Sequence, residues 1–153
     1  MTKVEFESID DLKQVIGKEV YASDWLEMTQ DRVNLFAQAT DDFQWIHVDV
    51  ERARRESPFG VPIAHGYLTL SLLAKFAVES VFIRKKKTGV NYGLNKVRFI
   101  SPVRVGDKIR SRGTLSSFEP VPGGAQIIWN IIVDVQNVEK PACTAESVSR
   151  LYY

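Results

Sequence analysis

Apolar residues first recur at helical spacing between Gln30 and Ala39. Val33, Phe36, Ala37 and Thr40 stand at i, i+3, i+4 and i+7, one buried stripe. The pattern predicts an amphipathic helix, with Thr29 capping its first amides and Asp31 suited to its positive end. A longer helix is predicted from about Gly66 to Phe82. Leu68, Leu70, Leu72, Leu73, Phe76, Ala77, Val78 and Val81 spread round most of its circumference, and the polar groups Ser71, Lys75 and Glu79 keep to one line. A helix apolar on nearly every side is a buried helix. Something must wrap it.

The period then changes to two. "VNYGLNKVRFISPV", "DKIRSRGTLSSFEPV", "GAQIIWNIIVDVQN" and "ACTAESVSRLYY" read as successive strands. In the third, Ile127, Trp129, Ile131, Val133 and Val135 form one face, and Asn130, Asp134 and Gln136 mark the other. "PVPGG" and "PVRVGD" supply turns. Consecutive strands with short turns imply an antiparallel sheet. The predicted fold class is therefore α+β, one long apolar helix covered by an antiparallel sheet, in a single domain over 1–153.

Between the two helices lies "DDFQWIHVD", Asp41 to Asp49. Five residues of helix rotate a side chain by about 140°, so Asp42 and His47 cannot meet as helical neighbours. If they act together, the segment is a loop, or a loop entering a short helix. Asp49 is a plausible cap for a helix through "VERARRE", which "SPFGVP" then interrupts with Pro58, Gly60 and Pro62.

Composition narrows the setting. A net charge of +1 predicts no strong attraction to nucleic acid or to a membrane surface. No apolar run reaches the ~20 residues needed to span a bilayer, and "MTKVEFESIDDLKQ" is too acidic and polar for a secretory signal. A lone cysteine, Cys143, cannot form an internal disulfide, which suits a reducing cytoplasm; it reads as an inert structural thiol. Two histidines with scattered acids give no recognisable ligand spacing, so no metal site is expected.

The stretch "TDDFQWIHVDVERARRESPFGVPIAHGYLTLSLL" resembles the signature of the MaoC-like hydratases and dehydratases: an acid and a histidine five apart, a spacer, then an apolar run ending His-Gly. "VNYGLNKVRFISPVRVGDKI" resembles the strand segment that follows in that family. Asp41, Gln44 and Trp45 depart from its commonest glycine, asparagine and proline, in the manner of a branch containing nodulation protein N-like proteins. The resemblance implies a hot-dog fold, a homodimer, and acyl thioesters of coenzyme A or acyl carrier protein as substrates, with no cofactor. It implies interconversion of trans-2-enoyl and (R)-3-hydroxyacyl thioesters.

Adding water across a 2-enoyl thioester needs a base, a proton for C2 and a donor for the developing enolate oxygen. By resemblance, Asp42 and His47 are the catalytic pair. The backbone N–H of Gly66, at the positive end of the long helix, suits the oxyanion. Its missing side chain would also allow close approach of the acyl group. His65 is placed beside it, as a residue shaping that turn or touching substrate. Trp45 is the best tryptophan for lining the site, and Trp25 and Trp129 are expected in the core or in a tunnel wall. Some relatives carry a supporting serine at a position aligned to Ala74, for which Ser71 is the nearest substitute. "RKKK" at 84–87 reads as cations at a helix end, or as a contact for coenzyme A phosphates or a carrier protein, to which Arg54 and Arg55 could contribute. A thioesterase and a non-catalytic acyl-thioester-binding module are the competing readings. Retention of both Asp42 and His47 argues against the second.

Overall fold

The computed structural model describes residues 3–153. The first predicted helix is α1, Gln30–Thr40, and Thr29 caps it by accepting from the Arg32 N–H at 3.2 Å. A four-residue helix, α2, Trp45–Val48, follows the Asp42 turn, and α3, Val50–Glu56, begins at Asp49, whose carboxylate accepts from the Arg52 N–H at 2.9 Å. The long helix, α4, covers Gly66–Ser80. The predicted extension to Phe82 does not hold. Val81–Ile83 leaves the helix as strand β4, because this β-branched and aromatic run pairs in parallel with β1, Val4–Phe6.

The sheet contains β2 (Glu19–Ala22), β3 (Leu26–Glu27), β5 (Thr88–Phe99), β6 (Lys108–Val121), β7 (Gly124–Val135) and β8 (Cys143–Tyr152). Its order is β2-β6-β7-β8-β5, with β3 also on β6, and the pairings are antiparallel. β6, β7 and β8 follow one another as hairpins. β5 does not join β6, its sequence neighbour. It crosses to the far edge and pairs with β8. Register shifts at Leu115/Ser117 in β6 and at two places in β5 bend these strands, and a curved sheet results.

α4 lies in the concave face. Leu68, Leu72, Leu73 and Phe76 pack with Val33 of α1 and with Ile109, Ile131, Val133, Val135 and Ala145 of the sheet. A second cluster closes the other end, where Ile9 and Leu12 of a 3-10 turn, Ile9–Val15, meet Leu115, Ala125, Ile127 and Leu151. Each Val, Leu, Ile or Phe side chain among these contributes about 1.5–3 kcal/mol when fully buried. Burial on nearly every side of α4 is not what the structure shows. Tyr67, Ser71, Ala74 and Val78 form an uncovered stripe, with Val78 at 67% exposure. Ser71, Ala74 and Val78 of this stripe face the exposed Val90, Tyr92 and Leu94 of the edge strand β5 without being covered by them. A cavity of about 530 Å³ lies between α4 and strands β5, β7 and β8, with Trp129 in its wall.

Cys143 is buried in β8, and burial pushes its thiol up to about 11. That is the chemistry of a packed thiol rather than a nucleophile. The basic run is not at a helix end. It follows β4, where Arg84 pairs with Glu5 at 2.8 Å and with Glu7 at 3.2 Å, and Lys85 pairs with Glu7 at 3.1 Å. These exposed pairs tie β4 to the N-terminal strand and contribute about 0–1 kcal/mol each.

Candidate active site

α1 ends on Asp41, a non-glycine residue in the left-handed region (φ 56°, ψ 24°). Aspartate tolerates that region better than most residues. The turn reverses the chain and sets Asp42 on the surface, where its carboxylate accepts weakly from the Gln44 N–H at 3.4 Å. The backbone then tightens into α2, which carries His47 inward. The amide of Gln30 holds α2 from outside by donating to the His47 carbonyl at 2.8 Å.

The other half of the site arrives from residues 62–66. This segment is strung between two partners. The Ile63 N–H donates to the Ile46 carbonyl at 3.0 Å, and the Ala64 N–H donates to the Val103 carbonyl at 2.7 Å. Those bonds place His65 beside His47, although 18 positions separate them in sequence. Their rings stack with centroids 3.8 Å apart and planes 26° apart. Phe36 of α1 flanks His65 at 5.0 Å.

Asp42 and His47 do converge. Donor atoms of Asp42, His47 and His65 lie within 4.8 Å of one another. His47 is 7% exposed, and its Nδ1 lies 2.7 Å from the Ile63 carbonyl oxygen. A carbonyl accepts only, so in the neutral ring Nδ1 carries the hydrogen and Nε2 a lone pair. The corresponding argument for His65, whose Nε2 lies 3.0 Å from the Asp42 carbonyl oxygen, puts its hydrogen on Nε2. The Asp42 carboxylate is farther from that nitrogen, at 3.9 Å, too long for a hydrogen bond.

The gathering of three possible ligands corrects the expectation of scattered acids, because the fold assembles what sequence spacing does not. His65 Nε2 is engaged with the Asp42 carbonyl, and its Nδ1 has no hydrogen-bond partner.

Burial lowers the pKa of His47 from 6.5. The Ile63 carbonyl opposes this, His65 adds to the lowering, Asp42 opposes it, and burial wins. The ring is therefore neutral at pH 7. The unfolded chain binds this proton at a higher pH than the folded chain does. Stability thus falls as pH drops from about 6.5 toward the folded value, and is regained as pH rises. Ring-proton NMR titration is expected to give His47 a midpoint below 6.5; a midpoint at or above 6.5 would contradict the burial argument.

Gly66 is the first residue of α4, so its N–H has no intrahelical acceptor. The expected open approach over its Cα is not present. A Cβ at this position would meet the Phe99 ring at 3.0 Å, and Phe99 in turn packs edge-on against Tyr67. The missing side chain admits Phe99. The 530 Å³ cavity is lined by none of Trp45, Asp42, His47, His65 and Gly66, and the Trp45 ring is covered by the Arg52 guanidinium at 4.3 Å, which Glu56 holds. Trp25 lies beneath Arg110. Ser71 is not a support for the pair: its hydroxyl donates to the Tyr67 carbonyl at 2.6 Å. Gln30 and Phe36 were missed by sequence reasoning. Their only signal was membership of the helix that precedes Asp42.

The sequence profile of the MaoC-like domain matches residues 11–127. The chain belongs to this family. This MaoC-like chain is 47% identical over 146 residues to a protein of Mycobacterium tuberculosis named 3-hydroxyacyl-thioester dehydratase Z, covering 95% of this chain and 96% of that one. It is 42% identical over 144 residues to Nodulation protein N of Rhizobium meliloti, covering 93% and 89%. The solved MaoC-like dehydratase from Rhodospirillum rubrum superposes with a TM-score of 0.77 at 21% identity, over 95% of this chain and 96% of that one. The fold is thus the hot-dog fold of MaoC-like dehydratases. Among the described residues, no helix is long and apolar enough to cross a membrane.

Proposed function

We propose that the protein is a hydro-lyase that interconverts trans-2-enoyl and (R)-3-hydroxyacyl thioesters, of coenzyme A or of acyl carrier protein, in the cytoplasm. The observation that carries this reading is the convergence of the Asp42 carboxylate on a neutral His47 whose Nδ1–H is held by the Ile63 carbonyl, which leaves the lone pair on Nε2. Near-full-length identity of 47% to a named 3-hydroxyacyl-thioester dehydratase supports it.

Both groups accept hydrogen bonds. A water molecule between them donates one O–H to each and turns an oxygen lone pair toward C3 of the enoyl thioester. One of the pair takes a proton as the C3–O bond forms. The C2–C3 double-bond electrons move toward the thioester, and the oxygen becomes enolate-like. The Gly66 N–H donates to that oxygen. Collapse of the enolate with protonation at C2, from the group that took the proton, returns the pair to its starting state. Dehydration is the reverse. Positioned acid–base groups of this kind contribute about 10²–10⁴-fold, and one oxyanion donor about 10²–10³-fold.

The assay follows loss of conjugated-thioester absorbance with crotonyl-CoA and a longer enoyl-CoA. Absorbance loss without thiol release supports the hydro-lyase. Free thiol would mark a thioesterase, and binding without turnover would mark a binding module.

The uncovered apolar stripe of α4 and the exposed edge strand β5 support a homodimer in which a second copy covers both. Light scattering is expected to give twice the chain mass of 17.4 kDa. Val78→Lys, on the exposed stripe, should move the population toward 17.4 kDa; a wild-type protein at that mass would refute the dimer.

A further inference from the structure

His65 is 3% exposed and is the residue immediately before α4. Its carbonyl accepts from the Leu68 N–H at 3.0 Å and the Thr69 N–H at 3.2 Å, so its backbone is fixed by the first turn of the helix that carries Gly66. Its ring reaches the other way. Nε2 donates to the backbone carbonyl of Asp42 at 3.0 Å, and the ring face lies on His47 at 3.8 Å.

Asp42 needs such an anchor. It is half exposed and sits just after a left-handed turn, and its own carboxylate has only the long contact to the Gln44 N–H. A carboxylate on such a turn has many orientations unless the backbone beneath it is held. The His65 ring holds it from the direction of α4. The imidazole Nδ1, by contrast, is buried without a hydrogen-bond partner, so the ring's polar function in this structure is the single Nε2–H donation.

We propose that His65 is a positioning residue that joins three parts into one unit: the turn bearing Asp42, the ring of His47 and the helix start bearing Gly66. Its donor fixes Asp42, and its face fixes His47. This role rests on the hydro-lyase reading for its consequence in turnover, but the anchoring itself is independent of any reaction. His65 does not touch the reacting atoms in this assignment.

Two substitutions separate donor from ring. His65→Gln keeps a nitrogen donor near the Nε2 position and removes the ring. His65→Phe keeps a stackable ring and removes the donor. Amide hydrogen exchange over residues 41–44 reads the anchoring without substrate. It is expected to speed up in His65→Phe and to stay near wild type in His65→Gln. In enoyl-thioester hydration, His65→Phe is expected to lose about 10²-fold in kcat, the size of a small misplacement of a reacting group, with KM little changed. His65→Gln is expected to recover most of that loss.

Unchanged exchange over 41–44 in His65→Phe overturns the proposal, whatever the turnover. A larger kcat loss in His65→Gln than in His65→Phe overturns the donor's role in favour of ring packing. Asp42→Asn, measured in parallel, distinguishes this failure from that of the underlying function. If Asp42→Asn is inactive while His65→Phe exchanges and turns over like wild type, only the role of His65 falls. If Asp42→Asn turns over like wild type, the hydro-lyase assignment of the pair falls, and the exchange result alone decides whether His65 anchors the turn.

Discussion

Asp42→Asn is expected to lower kcat by about 10²–10⁴-fold while leaving the fold intact. The substitution keeps the shape of the side chain and replaces one acceptor oxygen with an amide donor. A water between the new amide and His47 can no longer give an O–H to both sides, so it loses the orientation that points its lone pair at C3. Nothing in the packing opposes the change. Asp42 is half exposed, and its one side-chain bond is the 3.4 Å contact from the Gln44 N–H, which an amide oxygen can still accept. A surface change of this kind stays within about 0.5 kcal/mol. His47 requires a more careful variant. His47→Ala would remove the donor from the part-buried Ile63 carbonyl and destabilise the fold as well as the site. His47→Asn places an amide N–H near Nδ1 and removes Nε2, so it is expected to fold and to lose turnover to a similar degree. Steady-state kinetics with a thermal melt on each variant checks this. An Asp42→Asn enzyme with wild-type kcat would remove the carboxylate from the mechanism.

Gly66→Pro is expected to lower kcat by about 10²–10³-fold through loss of one N–H. The position makes this an unusually clean deletion. Gly66 is the first helical residue, where proline is well tolerated because that N–H lacks an intrahelical partner in any case. The preceding residue, His65, already has φ −58° and ψ 136°, the extended conformation that proline demands of its neighbour. The complication is Phe99, whose ring would meet the new Cβ at 3.0 Å and must give by a few tenths of an ångström. Gly66→Ala carries the same Cβ and keeps the N–H. The ratio of kcat between the alanine and proline variants therefore isolates the donor. A ratio near one with both variants close to wild-type kcat would show that the Gly66 N–H does not meet the thioester oxygen. A loss already complete in the alanine variant would assign the effect to Phe99.

Much of this was legible before any coordinates. Thr29 and Asp49 mark helix starts because a short acceptor side chain ahead of an apolar stripe has one good use. The alternation in β7 predicts its buried face correctly from Ile127 to Val135, since a strand's period is fixed at two. The five-residue spacing of Asp42 and His47 excluded a shared helix, and the structure provides a turn and a four-residue helix in its place. The N-terminal strand and its parallel pairing with β4 were not legible, because three-residue strands carry too little pattern. That pairing also ended α4 early and took Arg84 and Lys85 away from the helix terminus where they were expected.

What the sequence determined by itself is the local chemistry: which segments coil or extend, which residues cap them, and which acid and imidazole cannot be helical neighbours. Those follow from backbone sterics and side-chain periodicity over a few residues. Tertiary structure alone decided that His65 stacks on His47, that Phe99 fills the space beside Gly66, and that β5 sits at an open edge. Each depends on bonds between distant segments, such as Ile63 to Ile46 and Ala64 to Val103, whose formation depends on the whole chain closing round α4.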